Sequence, residues 1–490
     1  MPNIDAACAR LEASGLQLDS RQVVPGDVFF ALAAEPLRST HITQALQKGA
    51  RWIVVDDALP LPSLAADRLL PLPSPKANLA QWAADFYQHP SRAMTLVGIT
   101  GTNGKSTTAF LLAQLLEAVT NQKGGVIGTL GFGHWCATLT DTGKTTPDAI
   151  NLQRILRRLV DEGITQVAME VSSHALDQGR VAGVHFAGAV FTNLSRDHLD
   201  YHGDMDSYAE AKGRLFRWPG LPFTVLNADD PYSAKMQQGI AATTGLYSYS
   251  SCSEGPSTRP AAVLAENCSY TTAGISFNLR SPWGAQQLSA PLLGHFNVEN
   301  LLASLTTVLA LHPEAWSLLP TLTASLQPVT GRMHLISSPH AAPKVVVDYA
   351  HTPDALEKAL AAVRVHATGK LWVVFGCGGD RDKGKRVLMA QAAEAGADRV
   401  VITSDNPRSE DPHAILADIT QGLAHVPWLV ESDRRAAIAA AIAAADVDDW
   451  VLLAGKGHET YQLVGEQIIP MSDIAEAQAA LALYTPSETL

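Results

Sequence analysis

The sequence has 490 residues, 47% of them apolar, and a formal net charge of −12 at pH 7. This length predicts about three domains with ample core-forming residues. The negative charge argues against non-specific binding to nucleic acid or to an anionic membrane. No apolar run approaches the roughly 20 residues that span a bilayer, and the first ten residues lack a signal-peptide core. We therefore expect a cytoplasmic protein without membrane insertion.

The cysteines predict ordinary reduced thiols. There are five, an odd number, and none forms a C-x-x-C pair. This pattern favours neither a disulfide framework nor a zinc site. The residues are Cys8, Cys136, Cys252, Cys268 and Cys377.

The first 90 residues predict a small α/β unit. V-P-G-D-V-F-F-A-L and Trp52 to Val55 indicate strands, with a helix near 42–48 between them. The turn Asp19-Ser20-Arg21 either presents a hydroxyl and a guanidinium to a ligand or is simply solvated. The proline-spaced stretch 59–75 predicts a loop, and the helix 79–87 ends at a boundary near His89-Pro90.

A phosphate-binding loop is predicted at 97–108, V-G-I-T-G-T-N-G-K-S-T-T. An apolar strand enters this stretch and an apolar-periodic helix leaves it. Small residues let backbone N–H groups approach phosphate oxygens, Lys105 reaches the outer phosphates, and the Ser106 hydroxyl suits Mg²⁺. The spacing is a shorter variant of G-x-x-x-x-G-K-[ST], because Ile99 stands where the first glycine would be. The alternative is a glycine-rich surface turn without a ligand.

Two further strand ends carry candidate chemistry. Glu170 ends the strand 166–170, where an α/β nucleotide enzyme places a metal ligand, although it could instead cap the next helix. After the strand 187–191, two histidines and three aspartates crowd one segment, F-T-N-L-S-R-D-H-L-D-Y-H-G-D. Lys212 lies on the following predicted helix.

The remaining chain repeats this pattern. Asn297 and Asn300, three apart at the start of a helix, either contact an adenine edge or cap the helix. Beyond a linker at 328–332, four strand ends carry Asp, Asn, Arg and Glu, which suits an amino acid with ammonium and carboxylate groups. G-C-G-G-D-R lacks the G-x-G-x-x-G spacing, which argues against NAD.

Together these motifs resemble the Mur ligases of bacterial cell-wall synthesis. They include G-T-N-G-K-S-T, K-T-T-P, E-V-S-S-H-A-L, G-H-F-N-V-E-N, D-Y-A-H-T-P-D-A-L, D-N-P-R and A-G-K-G-H-E. The resemblance covers nearly the whole chain. It implies an α/β fold of three domains: a UDP-binding domain over 1–90, a central P-loop ATPase with a parallel sheet over 91–330, and a Rossmann-like amino-acid-binding domain over 331–490.

The resemblance also implies a reaction. ATP phosphorylates the D-Glu carboxylate of UDP-N-acetylmuramoyl-L-Ala-D-Glu, and the amine of the incoming amino acid attacks the acyl phosphate. Lys105 and two Mg²⁺ ions neutralise the approaching anions. Ser106 and Glu170 hold one ion, and His198 with Lys212, as a carbamate, serve the second. We expect a monomer that acts in peptidoglycan synthesis, and hence in cell shape, cell division and the cell cycle.

The resemblance assigns three groups of binding residues. The ATP group is Gly101, Thr102, Asn103, Gly104, Lys105, Ser106, Thr107, Asn297, Asn300, Arg332 and Asp348. The group for UDP-muramoyl-dipeptide is Leu18, Ser20, Thr145, Thr146, Ser172, Gln178 and Arg180. The group for the incoming amino acid is Arg381, Asp405, Asn406, Pro407, Arg408, Gly455 and Glu459.

D-N-P-R is the signature of the similar enzymes that use meso-diaminopimelate, so the resemblance implies that amino acid rather than L-lysine as the incoming one. Arg408 can clamp the distal carboxylate that lysine lacks. The segment A-A-E-P-L-R-S-T-H at 33–41 lacks the D-G-H motif of the family, so we assign no uracil contacts there. The alternatives are a lysine-adding or other Mur-type ligase, a folylpolyglutamate-type synthetase, and a non-catalytic nucleotide-binding regulator.

Overall fold

The protein is described from a computed structural model that covers residues 13–59, 66–251, 262–338 and 340–485. Cys8, Cys252 and the first ten residues lie outside these ranges. Cys136, Cys268 and Cys377 are free thiols, as predicted. The described residues fall into two compact units, Met1–Ser248 with Ala303–His312 and Tyr249–Leu302 with Pro313–Leu490. The predicted domain boundaries at 90 and 330 stay predictions.

The first unit begins with a parallel sheet in the order β1-β2-β3-β4. Its strands are Leu16–Gln17, Val28–Phe30, Trp52–Asp56 and Leu69–Leu72, and its helices are Leu37–Gln47 and Pro75–Phe86. The prediction of a loop over 59–75 was wrong at β4 and at Pro75. L-L-P-L pairs with β3 at the sheet edge, where a proline is tolerated, and Pro75 occupies the first position of a helix.

The phosphate-loop sheet follows in the same unit, in the order β11-β10-β9-β5-β8-β6-β7. In chain order its strands are Thr95–Thr100, Lys123–Gly128, Gly131–His134, Ile164–Glu170, Gly188–Phe191, Phe223–Asn227 and Gly245–Ser250. Its helices are Lys105–Thr120, Ala149–Asp161, Ser173–Asp177, Leu199–His202, Met205–Gly213 and Ser233–Gln237. Strands β6, β8, β5, β9 and β10 run parallel, so their carboxyl ends share one edge.

The second unit contains an antiparallel part and a doubly wound part. The antiparallel strands β12 to β14 are Val263–Thr271, Gly274–Ser281 and Gly284–Ala290. The helix His295–Leu311 begins in this unit, and Leu319–Ala324 follows it.

The doubly wound sheet has the order β15-β16-β20-β17-β18-β19. In chain order its strands β15 to β20 are His334–Ile336, Lys344–Asp348, Leu371–Phe375, Arg399–Thr403, Leu429–Glu431 and Trp450–Ala454. The hairpin β21–β22 comprises Tyr461–Val464 and Gln467–Pro470.

Apolar side chains cover both faces of this sheet. Val346 and Leu452 face the helices Pro353–Arg364, Gly384–Gly396 and Pro412–Thr420, whereas Val345 and Leu453 face Arg434–Ala444 and Asp473–Leu483. Strands buried on both faces are near-continuous runs of Val, Ile and Leu, as K-V-V-V-D and W-V-L-L-A are. This is the expected Rossmann-like arrangement, and the predicted α/β class is confirmed.

Candidate active site

The phosphate loop connects β5 to the helix Lys105–Thr120 and packs against the end of β9. Thr102 N–H donates to the Asn193 carbonyl (2.8 Å), and Asn103 N–H donates to the Asn193 side-chain oxygen (3.0 Å). Gly101 requires glycine: its φ is +153°, and a Cβ there would lie 1.9 Å from Thr192 Oγ1. Lys105 Nζ donates to the Gly101 and Thr102 carbonyls at 3.0 and 2.8 Å. The loop therefore follows a strand and opens a helix, as predicted.

Glu170 lies beside the phosphate loop because β8 is paired with β5. Its side chain accepts from Ser106 Oγ at 2.8 Å, from Thr129 N–H at 2.9 Å and from Thr129 Oγ1 at 3.3 Å. The next helix is capped by Ser172, whose Oγ accepts from Ala175 N–H, so the capping alternative for Glu170 is wrong. A buried carboxylate with a serine hydroxyl supplies the hard oxygen ligands that suit Mg²⁺.

Lys212 is buried against the same loop. Its Nζ donates to the Gly101 carbonyl at 2.7 Å and lies 4.6 Å from the centre of the Tyr208 ring. Burial, and then the charge of Lys105, hold the pKa of Lys212 well below its ordinary value. An ammonium group there would repel a metal cation, whereas a carbamate would be an anionic ligand.

His198 belongs to an aromatic cluster that includes Tyr208. Its ring centre lies 4.9 Å from that of His174 and 6.0 Å from that of Tyr208, and Tyr201 and His202 complete the cluster. Burial, then His198 and His202, lower the pKa of His174. Among the residues that the structure describes, no group of three His, Cys, Asp or Glu side chains is arranged as a metal site.

The dipeptide-binding candidates meet beyond the end of β8. Thr146 Oγ1 donates to the Glu170 carbonyl at 2.9 Å and accepts from Ser172 N–H at 3.0 Å. Arg180 donates from its NH1 to the Thr146 carbonyl (2.9 Å) and from its Nε to Gln178 Oε1 (3.0 Å). Thr145, Thr146, Ser172, Gln178 and Arg180 therefore form one contiguous patch next to Glu170.

Leu18 and Ser20 follow β1 in the small sheet. Leu18 packs against a core that also contains Ala149 and Ile150, at the start of the helix that follows Thr145 and Thr146. Ser20 Oγ donates to Gln44 Oε1 at 2.6 Å. The small sheet therefore packs against the phosphate-loop sheet's own helix.

In the second unit, the D-N-P-R loop follows β18 and meets the loops that follow β17 and β20. Asn406 Nδ2 donates to Glu459 Oε2 at 3.0 Å, and Arg408 NH1 donates to the Gly379 carbonyl at 2.9 Å. Pro407 approaches Gly379 so closely that a Cβ there would lie 1.9 Å from the Pro407 carbonyl oxygen. Gly455 faces Asp405 from β20, and the exposed Arg381 extends from the β17 loop. The structure brings these residues together, and their role in binding the amino acid stays a prediction.

A buried cation that the sequence analysis did not assign holds this group together. Lys456 Nζ donates to Glu459 Oε2 at 2.9 Å and to Asn406 Oδ1 at 3.3 Å, and it lies 3.7 Å from Asp405 Oδ1. Burial raises the pKa of Asp405, and the positive charges of Arg434 and Lys456 offset part of this rise. The only signal for Lys456 was its place within A-G-K-G-H-E.

A buried ion pair that the sequence analysis also did not assign lies beneath the site. Arg434 and Asp473 are fully buried and bridged at 2.6 Å, and Arg434 also donates to the Ser404 and Ala454 carbonyls (3.4 and 2.9 Å). Burial alone would lower the pKa of Arg434, but Asp473 raises it. The pair joins the ends of β18 and β20, although its members are 39 positions apart in the sequence.

The adenosine-binding candidates form two pairs within this unit. Arg332 lies 4.4 Å over the Tyr349 ring, and Asp348 accepts from Met333 N–H at 2.8 Å. Burial raises the pKa of Asp348, and Arg332 opposes that shift. Asn300 Nδ2 donates to Asn297 Oδ1 at 2.9 Å, while Asn297 Nδ2 donates to the Leu293 carbonyl at 2.8 Å. The adenine and capping alternatives for the asparagines both stay open.

A phosphate loop at the carboxyl ends of parallel strands, beside a buried carboxylate, defines a P-loop nucleotide-binding protein. The profile of the Mur ligase middle domain matches residues 99–308, and that of the Mur ligase glutamate ligase domain matches 331–457. The chain belongs to the Mur ligase family. No helix of the described residues is long and apolar enough to cross a membrane.

The relatives are named more narrowly. A UDP-N-acetylmuramoyl-L-alanyl-D-glutamate--2,6-diaminopimelate ligase of Alkalilimnicola ehrlichii is 47% identical over 94% of this chain and 93% of that protein. The equally named protein of Pseudomonas aeruginosa is 46% identical over 96% and 95%.

Solved structures show the same fold. One of that named ligase has a TM-score of 0.68 and 37% identity over 96% of this chain and 94% of the other. A folylpolyglutamate synthase of Mycobacterium tuberculosis, 18% identical over 84% and 96%, has a TM-score of 0.63, and that likeness concerns the fold alone.

Proposed function

We propose that this chain is the ATP-dependent ligase that joins meso-2,6-diaminopimelate to UDP-N-acetylmuramoyl-L-Ala-D-Glu. The observation that carries the proposal is the setting of the D-N-P-R loop: buried Lys456 joins Asn406 to Glu459, and Arg408 is held at the neighbouring strand end by the Gly379 carbonyl. The names of relatives at 46–47% identity support the same assignment. The reaction belongs to cytoplasmic peptidoglycan synthesis, and through it to cell shape, division and the cell cycle.

The phosphate loop of the first unit binds the ATP phosphates in this proposal. Backbone N–H groups of 101–107 surround the phosphates, and Lys105 exchanges its two loop carbonyls for phosphate oxygens. Asn297, Asn300, Arg332 and Asp348 are proposed to bind adenosine. Their contacts described above leave that role a proposal.

Magnesium fits the oxygen pair of Ser106 and Glu170. These side chains already lie 2.8 Å apart and are nine-tenths or more buried, so ligands of the right type are pre-positioned. Bound Mg²⁺ would neutralise phosphate charge as two anions approach each other. His198 and a carbamylated Lys212 are the proposed residues for a second ion. Burial and Lys105 hold the pKa of Lys212 low, so carbamylation of its neutral amine would turn it into an anionic ligand that suits a cation.

The reaction then has two steps. A D-Glu carboxylate oxygen attacks the γ-phosphorus of ATP and releases ADP, which gives an acyl phosphate. The amine of diaminopimelate attacks the acyl carbon, and the tetrahedral intermediate expels phosphate and loses a proton. Lys105 stabilises negative charge in the first step, and Thr145, Thr146, Ser172, Gln178 and Arg180 hold the dipeptide substrate beside Glu170.

The acceptor site favours diaminopimelate over lysine on charge. Arg408 and Arg381 offer guanidinium groups to the distal carboxylate, whereas Glu459 and Asp405 offer carboxylates to the ammonium group. Lysine carries the ammonium group but lacks the carboxylate, so it leaves the arginines without a partner.

Three further assignments belong to this proposal. The regions 1–90, 91–330 and 331–490 bind the UDP end, ATP and the amino acid, respectively, with Leu18 and Ser20 contributing to the first. The protein acts as a monomer. It needs neither nucleic acid nor a membrane as a partner.

The test measures phosphate release from ATP by purified protein with Mg²⁺ and UDP-N-acetylmuramoyl-L-Ala-D-Glu. We expect turnover with meso-diaminopimelate, little with L-lysine, and none after chelation of Mg²⁺. Turnover with lysine alone would keep a ligase but overturn the role of D-N-P-R. Turnover with a folate and glutamate, without use of the UDP-dipeptide, would replace the proposal altogether.

A further inference from the structure

The hairpin β21–β22 sits directly beside the D-N-P-R loop but is weakly anchored by apolar contacts. All four residues of β22 are exposed, and Ile468 is 71% exposed. A two-stranded hairpin is marginally stable by itself. Its position must therefore come from polar contacts with the rest of the unit.

Four of those contacts go to three residues of D-N-P-R, and a further one joins the Pro470 carbonyl of β22 to Arg435. Gln462 Nε2 donates to the Asp405 carbonyl at 2.6 Å, and Leu463 N–H donates to Asn406 Oδ1 at 3.0 Å. Arg408 N–H donates to the Leu463 carbonyl at 3.0 Å, and Gly465 N–H donates to the Arg408 carbonyl at 2.6 Å. Strand β21 thus binds D-N-P-R much as a neighbouring strand would.

These hydrogen bonds fix the two side chains that select the acceptor. Arg408 has φ +51°, a left-handed conformation that is unfavourable for a residue other than glycine, so both of its backbone hydrogen bonds are needed to hold it. Asn406 accepts from Leu463 and Lys456 and donates to Glu459, which fixes the orientation of its amide. The direction of the Arg408 guanidinium and of the Asn406 amide therefore depends on the hairpin.

We propose that the hairpin sets selectivity for the amino-acid acceptor, with Gln462 as a positioning residue that acts through Asp405 and Arg408. Gln462 supplies the one side-chain donor among the four contacts with D-N-P-R, while the other three donors are backbone N–H groups. The inference rests on the proposed function, since it concerns how that acceptor is chosen.

The test compares Gln462→Ala and Gln462→Glu with the wild type. Both variants lose the donor, and the glutamate keeps the size of the side chain. We expect KM for meso-diaminopimelate to rise about fivefold, the effect of one hydrogen bond, with kcat changed less than about twofold. KM for ATP and for the UDP-dipeptide stays unchanged, and the preference for diaminopimelate over L-lysine falls by a similar factor.

The matched control is Gln467→Ala, because Gln467 is an exposed glutamine on the facing strand. We expect it to leave every kinetic constant unchanged. An unchanged KM for diaminopimelate in both Gln462 variants, or an equal rise in KM for all three substrates, would overturn the inference. Absence of wild-type turnover with diaminopimelate would instead overturn the proposed function itself, so the two failures are distinguishable.

Discussion

The phosphate-loop site and the acceptor site are built in opposite ways. The first comes mainly from one contiguous stretch, 101–107, with Glu170 and Lys212 added from neighbouring elements. The second collects side chains from 381 to 473 around the ends of β17, β18 and β20, and buried charges hold them together. A contiguous loop takes its geometry from its own backbone, whereas a dispersed site depends on ion pairs and hydrogen bonds between residues that are far apart in the sequence.

This difference predicts whether a mutation at each site reduces mainly catalysis or mainly stability. Removing a charge from the phosphate loop should impair catalysis and leave the fold nearly intact. Removing a buried charge beneath the acceptor site should strongly destabilise the unit, because the remaining partner would be buried without compensation.

The largest expected effect is that of Arg434→Met. It leaves Asp473 buried and unpaired and removes hydrogen bonds to the Ser404 and Ala454 carbonyls. We expect a loss of about 3–5 kcal/mol in the free energy of unfolding, measured by urea denaturation. The double variant Arg434→Met with Asp473→Leu should recover much of this loss.

The matched control for that prediction is the next residue. Arg435→Met removes a half-exposed ion pair with Glu476 (3.2 Å) and an exposed hydrogen bond to the Pro470 carbonyl, which together we expect to cost no more than about 1 kcal/mol. Equal losses for the two arginines would contradict the idea that buried charge organises the acceptor site.

Lys105→Met should have the second-largest effect, and on rate rather than stability. In the proposed function its ammonium group binds the ATP phosphates, and it is only partly buried, so we expect the fold not to depend on it. We expect phosphate release to fall about 10²–10³-fold, with the melting temperature nearly unchanged. Lys123→Met, at an exposed lysine in the same unit, should change neither property. Unfolding of the Lys105 variant would break the comparison between the two sites.

The phosphate-loop site was largely predictable from the sequence. Gly101, Lys105 and Ser106 lie within seven residues, so the local sequence pattern was enough to predict how they are arranged. The position of Glu170 beside them follows from the rule that the carboxyl ends of parallel strands share one edge of the sheet. The misassigned part of 59–75 was chiefly the strand 69–72, because L-L-P-L has a proline where a strand would not be expected, and only pairing with β3 reveals the strand.

The acceptor site was predictable only in outline. Asp405, Asn406 and Arg408 were identified through D-N-P-R, but Arg434 and Asp473 look like ordinary residues near the starts of helices. Their pairing depends on the packing of two helices on one face of the sheet, and single-sequence patterns do not contain it. Gln462 was missed for the same reason, since its partner is a backbone carbonyl 57 positions away.

The smallest expected effect concerns His458 and the loss of stability of the acceptor unit at acid pH, as distinct from general acid denaturation. Burial and repulsion by Arg332 lower the pKa of His458 to about 4, against 6.5 for the free side chain. The unfolded chain therefore takes up this proton first as the pH falls. The stability that the neutral imidazole contributes is complete above pH 6.5 and is lost between pH 6.5 and 4.

His458→Gln removes this proton uptake, so its melting temperature should fall less than that of the wild type between pH 7 and 4.5. We expect a difference of about 2 °C, a small value because the ring is partly solvated. The exposed His413→Gln in the same unit should follow the wild-type curve. Parallel curves for His458→Gln and the wild type would show that the pKa of His458 is the same in the folded and unfolded states. Burial and the repulsion between Arg332 and His458 would then not influence how the stability of the acceptor unit depends on pH.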